Sequence, residues 1–371
     1  MIDLSRRDRA IDILRFAALI HMIFQHTVLA LMQSSENTGI TLFFYEIIPL
    51  CPALFLFVSG LSFTYSYKNR GSKNRWKKKL LYGLLLIIGG MVLFVVEHGF
   101  QLPDLFFASS IINTIGIFII SSSFIYRFIN EQLRFAVLVI IFGIITLLFV
   151  YLISNSLVIF PLSTGYEPVL PTIIFGFAGL IFGELAYLSH NTRSKNSLLI
   201  IGIISFFILV LLMIFNDGFK VFYSNIGRYT VTRRFNSSLS IVNLLGASDS
   251  SSYSFYMAQI WNYNLRGFFA TLCSVIVVFT VFNNIKRFFV NRLFDYILLP
   301  AVYPLYNYFL HLSFIGIMVS VVGYNFLNKL NTYFIIISII AICYLISYIL
   351  QKKRTLKKAD KTQGYNVEGQ V

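Results

Sequence analysis

Three side chains in the first hydrophobic stretch of this chain could do chemistry. Asp12, Arg15 and His26 all lie within roughly residues 11–32, and ionisable side chains inside a membrane helix are costly unless they have a function. The step from Arg15 to His26 turns a helix through about three revolutions, so both lie on one face, with Asp12 one turn before Arg15. The same step covers about 16 Å along the axis. This spacing suits an elongated ligand with an anionic end near Arg15 and a reactive end near His26.

The composition predicts the elements that must position these residues. Hydrophobic residues make up 57% of the 371-residue chain and charged residues 12%, with a mean hydropathy of +0.76. These values exclude an ordinary soluble globular protein and predict an all-α integral membrane protein. A bilayer core needs about 20 apolar residues per helix. We find ten such spans, near residues 11–32, 43–66, 79–99, 104–126, 133–153, 170–189, 197–215, 265–284, 296–322 and 332–350.

The distribution of basic residues predicts the orientation. The first span is too long for a signal-peptide core and no small-residue cleavage site follows it, so we expect it to remain in the protein. With the N terminus in the cytoplasm, cytoplasmic segments hold 23 of the 30 Lys and Arg residues and external segments hold 6. Cytoplasmic loops of membrane proteins are enriched in Lys and Arg. We therefore expect both termini in the cytoplasm, one transmembrane domain over 1–350 and a basic cytoplasmic tail over 351–371.

The same distribution accounts for the net charge of +15. The charge is spread over many short loops, as membrane topology requires, so we predict the lipid bilayer and no nucleic acid as a partner. The three cysteines, Cys51, Cys273 and Cys343, show no metal-ligand spacing and are expected to pack in the core, and no metal site is predicted. The long segment 216–264 is rich in Ser, Asn and aromatic residues. It could line a sugar site or simply form a capping or disordered loop.

Several short motifs resemble those of transmembrane acyltransferases. Asp12-x-x-Arg15 followed by His26 resembles the opening signature shared by two groups. One is the acyltransferase-3 family of envelope O-acyltransferases, and the other is the heparan-α-glucosaminide N-acetyltransferase group. Further similar segments follow in order: residues 52–60 ending in Ser59-Gly60, the basic run 75–79, residues 113–116, residues 171–183 and Tyr308-Phe-Leu-His311. A Trp-Ser-Leu-x-x-Glu element typical of many acyltransferase-3 members is absent, which leaves the subgroup and the acceptor open.

This resemblance implies an acetyltransferase or other acyltransferase of the bacterial inner (plasma) membrane. It would move an acyl group from cytoplasmic acetyl-CoA, or another acyl-CoA, to a hydroxyl or amine of a carbohydrate of the cell envelope or for export, such as a polysaccharide. It assigns His26 as the catalytic base and Ser59 as a hydrogen-bond donor to the thioester carbonyl. The donor phosphates would bind cationic side chains: Arg15, Arg75, Lys78 and Lys79. Cationic side chains suit such multiply charged anions.

The roles that we expect for the other ionisable residues are less specific. Asp12 is expected to pair with Arg15, and His311 to contact the substrate or support residues that do. Glu97 and His98, at the end of the third span, could polarise an acceptor hydroxyl or cap a helix. Glu184 is expected near the cytoplasmic end of the sixth span, paired with a nearby Lys or Arg.

Each functional assignment has a structural alternative. His26 could be a packed bundle histidine, Arg15 could extend to the membrane interface, and Ser59 could simply pack. The basic run 75–79 could be a topology signal alone. For the whole chain, the alternatives are a transporter or flippase, or a polysaccharide polymerase without acyl transfer, although no inverted repeat is evident. Binding of acyl-CoA distinguishes these classes. A homodimer is left open.

Overall fold

The computed structural model describes most of the helical parts of the chain. The described residues are 8–33, 49–70, 76–98, 110–155, 169–188, 192–216, 265–289, 292–323 and 326–368, with the single positions 39, 43, 47 and 218. Within these ranges the regular structure is helical, apart from a bridge between Met32 and Leu327. This confirms the predicted all-α class.

Eleven α-helices account for nearly all of the described residues. They are α1 Arg9–Leu31, α2 Leu50–Arg70, α3 Trp76–His98, α4 Ile111–Phe128, α5 Glu131–Ser154, α6 Val169–Leu188, α7 Thr192–Ile214, α8 Leu265–Ile285, α9 Arg292–Ile297, α10 Pro304–Val322 and α11 Lys329–Glu368. In the described part of the chain, nine helices are long and apolar enough to cross a membrane. The 23-residue α3 occupies the remaining predicted span. Each predicted span therefore contains a long helix, and the protein is an integral membrane protein.

Prolines move two helix starts away from the predicted boundaries. The second span was predicted to begin at residue 43; α2 begins at Leu50, directly after Pro49, and residues 44–46 and 48 lie outside the described part of the chain. The predicted span 296–322 is divided: a short 3-10 turn, Leu299–Val302, precedes α10, which begins at Pro304. Proline lacks a backbone N–H and disfavours a helical residue before it, so it ends one helix and suits the first turn of the next.

Side-chain caps fix two other starts. The Asp8 carboxylate accepts a hydrogen bond from the Ala10 N–H at 2.9 Å, which satisfies one of the unpaired donors at the start of α1. Ser110 caps α4 in the same way, in extended backbone conformation. Residues 104–109 of the predicted fourth span lie outside the described part of the chain. The last helix is longer than predicted, because α11 continues to Glu368 through most of the predicted basic tail.

The described chain divides into two compact units. Unit 1 comprises Met1–Tyr45 and Val281–Val371, and unit 2 comprises Glu46–Thr280. In unit 1, α1 packs against α10, α11 and the turn Leu299–Val302. The Gln33 N–H donates to the Leu327 carbonyl at 2.9 Å, joining the end of α1 to the start of α11. Unit 1 thus surrounds α1, the helix that carries Asp12, Arg15 and His26.

Unit 2 is built around a close contact between α2 and α6. A Cβ atom on Gly60 would lie 2.3 Å from the Gly176 carbonyl oxygen, and one on Gly179 would lie 2.0 Å from the Phe57 carbonyl oxygen. Only glycine permits such an approach of two helix backbones. Helix α6 is buried along almost its whole length, whereas only a small part of α5 and α7 is buried. The apolar surfaces of α5 and α7 face the lipid in a membrane-spanning bundle.

Candidate active site

Two histidines meet inside unit 1. His26 on α1 and His311 on α10 are joined by a contact of 3.1 Å between His26 Nδ1 and His311 Nε2. Their ring planes differ by 21° and their centroids are 5.3 Å apart, as expected when two imidazoles meet end to end through one N–H···N hydrogen bond. His311 is fully buried, while His26 is only partly buried. His26 is thus the member of the pair that a ligand can reach.

His311 is held in place by its own helix. Its Nδ1 atom lies 3.1 Å from the main-chain carbonyl oxygen of Asn307, one turn earlier on α10. The ring of Tyr308 packs edge-on against it, with centroids 5.3 Å apart. The Asn307 side chain is also buried and donates to the Pro300 carbonyl at 2.8 Å and to Ser347 Oγ at 3.0 Å. A chain of hydrogen bonds therefore runs from His26 through His311 and Asn307 to α11.

This chain of contacts assigns the tautomers of two neutral rings. A carbonyl oxygen can only accept, so His311 Nδ1 carries the hydrogen that points to Asn307. His311 Nε2 is then the acceptor, and His26 Nδ1 donates to it. The lone pair of neutral His26 consequently lies on Nε2. An imidazole held in this way can accept a proton at Nε2.

Asp12 and Arg15 form an ion pair near the start of α1. Arg15 Nη1 lies 3.0 Å from Asp12 Oδ1, the arrangement that their three-residue spacing predicts. The Asp12 side chain is 5% exposed and the Arg15 side chain 25% exposed. The carboxylate is thus the more deeply buried partner of the pair.

Ser59 makes a local contact in unit 2. Its hydroxyl donates to the Phe55 carbonyl at 2.8 Å, one turn earlier on α2. Such back-bonding is common for serine in membrane helices. The hydroxyl hydrogen that would stabilise a thioester carbonyl is engaged within α2, which favours the packing interpretation of Ser59.

The predicted donor-binding lysines lie at the start of α3. Lys78 is exposed. The Lys79 ammonium lies 3.5 Å from the centroid of the Phe63 ring and 5.7 Å from that of Tyr67, a cation–π arrangement. Lys79 is therefore packed against aromatic rings of α2, whereas Lys78 is open to solvent or ligand. Arg75 lies outside the described residues.

Two further predictions fall largely outside the described part of the chain. Glu97 and His98 form the last residues of α3, but their side chains are not described. The segment predicted to line a sugar site, 216–264, is described only at residues 216 and 218. The roles of these residues stay predictions.

Glu184 lies at the centre of a buried ionic cluster in unit 2. Its carboxylate is 3.0 Å from Lys68 Nζ and 3.7 Å from Arg134 Nη1. It also accepts a hydrogen bond from the Tyr126 hydroxyl at 2.8 Å. Lys68 contacts Glu131 as well. One carboxylate thereby connects the ends of α2 and α4 to the start of α5 and to α6. The predicted pairing of Glu184 with a nearby Lys or Arg is confirmed.

Several residues of these networks escaped the sequence analysis. Asn307 and Ser347 carry no charge, and their partners are distant in sequence. A signal for Asn307 does exist, because it lies one helical turn before His311, where its carbonyl can reach the ring. Lys68 and Arg134 count in the sequence only among the basic residues that flank the spans, and no pattern in the sequence distinguishes Tyr126 from the other tyrosines.

The helical fold and the histidine pair define a multi-pass membrane protein with a polar site inside the bundle. Residues 7–215 match the family model described as heparan-α-glucosaminide N-acetyltransferase, catalytic. This match covers more than half of the chain, and the chain belongs to that family. A search of curated proteins found no match. His26 lies within the matched residues, whereas His311 lies beyond them.

The family match sharpens the earlier resemblance. Similarity to the heparan-α-glucosaminide N-acetyltransferase group is confirmed, and the chain is an acetyltransferase-like membrane enzyme. Similarity to the acyltransferase-3 group stays a prediction. Within the described residues, no group of three or more His, Cys, Asp or Glu side chains could hold a metal ion.

Proposed function

We propose that this protein transfers an acetyl group from acetyl-CoA to a hydroxyl or amine of a carbohydrate across the bacterial inner membrane. The observation that carries the proposal is the His26–His311 contact of 3.1 Å, made by a partly buried histidine within the family-matched residues. Membership of an acetyltransferase family favours acyl transfer over a transporter, a flippase or a polymerase.

His26 is proposed to act as the general base. As the acceptor oxygen or nitrogen attacks the thioester carbonyl, His26 Nε2 takes the proton of the attacking group. The carbon–sulfur bond then breaks, and the proton passes to the departing thiolate of coenzyme A. His311 accepts from His26 Nδ1 throughout, which keeps the ring oriented and stabilises the imidazolium that forms. The products are the acetylated carbohydrate and free coenzyme A.

Arg15 is proposed to bind phosphate at the entrance to unit 1. About 16 Å of helix separates it from His26, a distance that the extended pantetheine arm can span. A guanidinium suits a phosphate, because its planar N–H donors match the phosphate oxygens. Donor binding by Lys78 and Lys79, and a role for Ser59, are separate proposals that substitution of each residue tests.

The basic residues support an orientation with both termini in the cytoplasm. Arg15 would then lie near the side that holds coenzyme A, and His26 deeper in the membrane. The acceptor carbohydrate would approach from the opposite side.

The test is acetyl transfer by purified full-length protein in detergent. Radiolabelled acetyl-CoA and a carbohydrate acceptor are supplied, and labelled carbohydrate and free thiol are measured. Loss of a general base costs about 10²–10⁴-fold in rate, so His26→Ala should lose transfer by that factor while it still binds acetyl-CoA and unfolds at the wild-type temperature. A wild-type protein that neither binds nor consumes acetyl-CoA would overturn the proposal. Wild-type turnover that His26→Ala leaves unchanged would overturn the assigned base.

A further inference from the structure

One buried polar side chain of α1 keeps an unused hydrogen-bonding atom. Gln25 is 9% exposed. Its Oε1 atom is buried and accepts no hydrogen bond from any residue in the described part of the chain. A buried acceptor without a partner costs free energy, and such groups are few in native proteins. The amide of Gln25 therefore has a hydrogen-bond acceptor that the described protein does not use.

The polar residue on the other side of His26 in the sequence behaves differently. Thr27 is fully buried, and its hydroxyl donates to the Ile23 carbonyl at 2.7 Å, one turn earlier on α1. Hydroxyl side chains in membrane helices commonly bond in this way. Thr27 is thus satisfied within its own helix. Gln25 is only two residues away, and its amide oxygen has no such bond.

Leu29 marks an accessible surface beside both Gln25 and His26. It is the fourth residue after Gln25 and the third after His26, and residues with these spacings are neighbours on the surface of a helix. Leu29 is 44% exposed. His26 and Gln33 are partly exposed, although most of α1 is buried. The accessible surface therefore leads to Gln25 and His26 from the end of α1 that lies away from Arg15.

An amide oxygen next to a proposed base suits one kind of acceptor. Consecutive residues of a helix point about 100° apart, so one ligand can contact both Gln25 and His26. The amide oxygen can only accept, so the group that satisfies it must be an O–H or N–H. A carbohydrate can place two such groups on adjacent carbon atoms. One can lose its proton to His26, while the other donates to Gln25.

We propose that Gln25 binds the acceptor carbohydrate through a hydroxyl on the carbon next to the one that carries the attacking group. This inference rests on the proposed function and adds to it a residue that selects the acceptor. The hydrogen bond holds the attacking oxygen or nitrogen beside His26 Nε2 and gives the buried amide oxygen its partner. A site built to bind a hydroxyl discriminates against analogues that lack it.

Acetyl transfer to two sugars by the full-length protein in detergent tests the proposal. Methyl α-D-glucosaminide carries a hydroxyl on the carbon next to its amine, and the 3-deoxy analogue lacks that hydroxyl. Gln25→Leu replaces the amide with an apolar side chain of similar size. Thr27→Val is the matched control, because it removes a buried polar atom that already has a partner. We would measure kcat and KM for each sugar, the Kd for acetyl-CoA and the Tm.

The wild type should prefer the glucosaminide over its 3-deoxy analogue by about tenfold in kcat/KM, as expected for one hydrogen bond. Gln25→Leu should lose this preference, mainly through a higher KM for the glucosaminide, and should keep the wild-type Kd for acetyl-CoA. Its Tm should not fall, because the substitution removes an unpaired buried group. Thr27→Val should keep the preference and have a slightly lower Tm.

Two results would overturn the inference: equal kcat/KM for the two sugars in the wild type, or a preference that Gln25→Leu retains. A lower Tm of Gln25→Leu with an unchanged KM would show that Gln25 only packs. If Gln25→Leu does not fold, Gln25→Met is used, with the same expected results. A wild type that hydrolyses acetyl-CoA but acetylates neither sugar overturns the acceptor chemistry inferred here and leaves the donor in place. A wild type that neither binds nor consumes acetyl-CoA overturns the proposed function itself.

Discussion

Unit 1 and unit 2 each contain a buried polar network, and the two networks differ in charge. In unit 2, the Glu184 carboxylate is matched by Lys68 and Arg134 and by the Tyr126 hydroxyl. In unit 1, His26 and His311 contact each other, and the network continues through the amide and main-chain carbonyl of Asn307 and the hydroxyl of Ser347. One network is ionic, and the other can be written with neutral groups throughout.

This difference separates a structural role from a chemical one. A compensated buried ion pair resists a change of protonation, because loss of either charge leaves the other unpaired in a medium of low dielectric constant. Two linked imidazoles can instead take up a proton at the outer nitrogen and release it again. The proposed function therefore assigns the chemistry to unit 1, whereas the Glu184 cluster joins helix ends in unit 2.

The largest expected effect on stability comes from breaking the ionic network. Glu184→Gln leaves Lys68 and Arg134 without their shared buried partner and should reduce the free energy of unfolding by about 3–5 kcal/mol. The measurement is thermal unfolding in detergent. Glu131→Gln is the matched control, because its side chain is 68% exposed, and such a surface pair contributes less than about 1 kcal/mol. Equal losses in the two variants would contradict a central role for Glu184.

Removal of the inner histidine should affect catalysis more than stability. His311→Gln removes the imidazole acceptor of His26 Nδ1 and should slow acetyl transfer by at least about tenfold, less than the loss of His26 itself. The double variant His26→Ala with His311→Gln should be no slower than His26→Ala, since His311 acts through His26. Additive losses would show that His311 has an independent role.

Substitution of Ser347, at the end of the neutral network farthest from His26, should have the smallest effect. Ser347→Ala removes one partner of the Asn307 amide and should cost about 0.5–1.5 kcal/mol of stability. The bond from His311 to the Asn307 carbonyl remains, so the transfer rate should change little. A rate loss comparable to that of His311→Gln would contradict this expectation. It would show that the Ser347 contact on α11 is needed to orient the histidine pair.

Some local contacts of both units could be predicted from the sequence. The three-residue spacing of Asp12 and Arg15 predicts their ion pair, because residues one helical turn apart are neighbours. Gly60 allows a close approach of the α2 and α6 backbones, as small residues commonly do in membrane helices. Position on a single helix can be read from spacing alone.

The long-range parts could not be predicted. The approach of His311 to His26 joins residues 285 positions apart, and no periodicity within one helix specifies which helices become neighbours. Pro300 and Pro304 indicate the division of the span 296–322. Hydropathy alone predicts a single helix there. The extension of α11 to Glu368 was not predicted either, because hydropathy marks only the apolar part of a helix.

The most direct test of the central claim is the protonation pattern of His26. The chain has five histidines, so ¹⁵N-histidine labelling with single substitutions for assignment makes their ring nitrogens distinguishable by NMR. At neutral pH we expect His26 to carry hydrogen on Nδ1 and a lone pair on Nε2, with His311 protonated on Nδ1. A hydrogen on His26 Nε2 with an unprotonated Nδ1 would contradict the account, because the proposed base would then face its lone pair toward His311 instead of the acceptor.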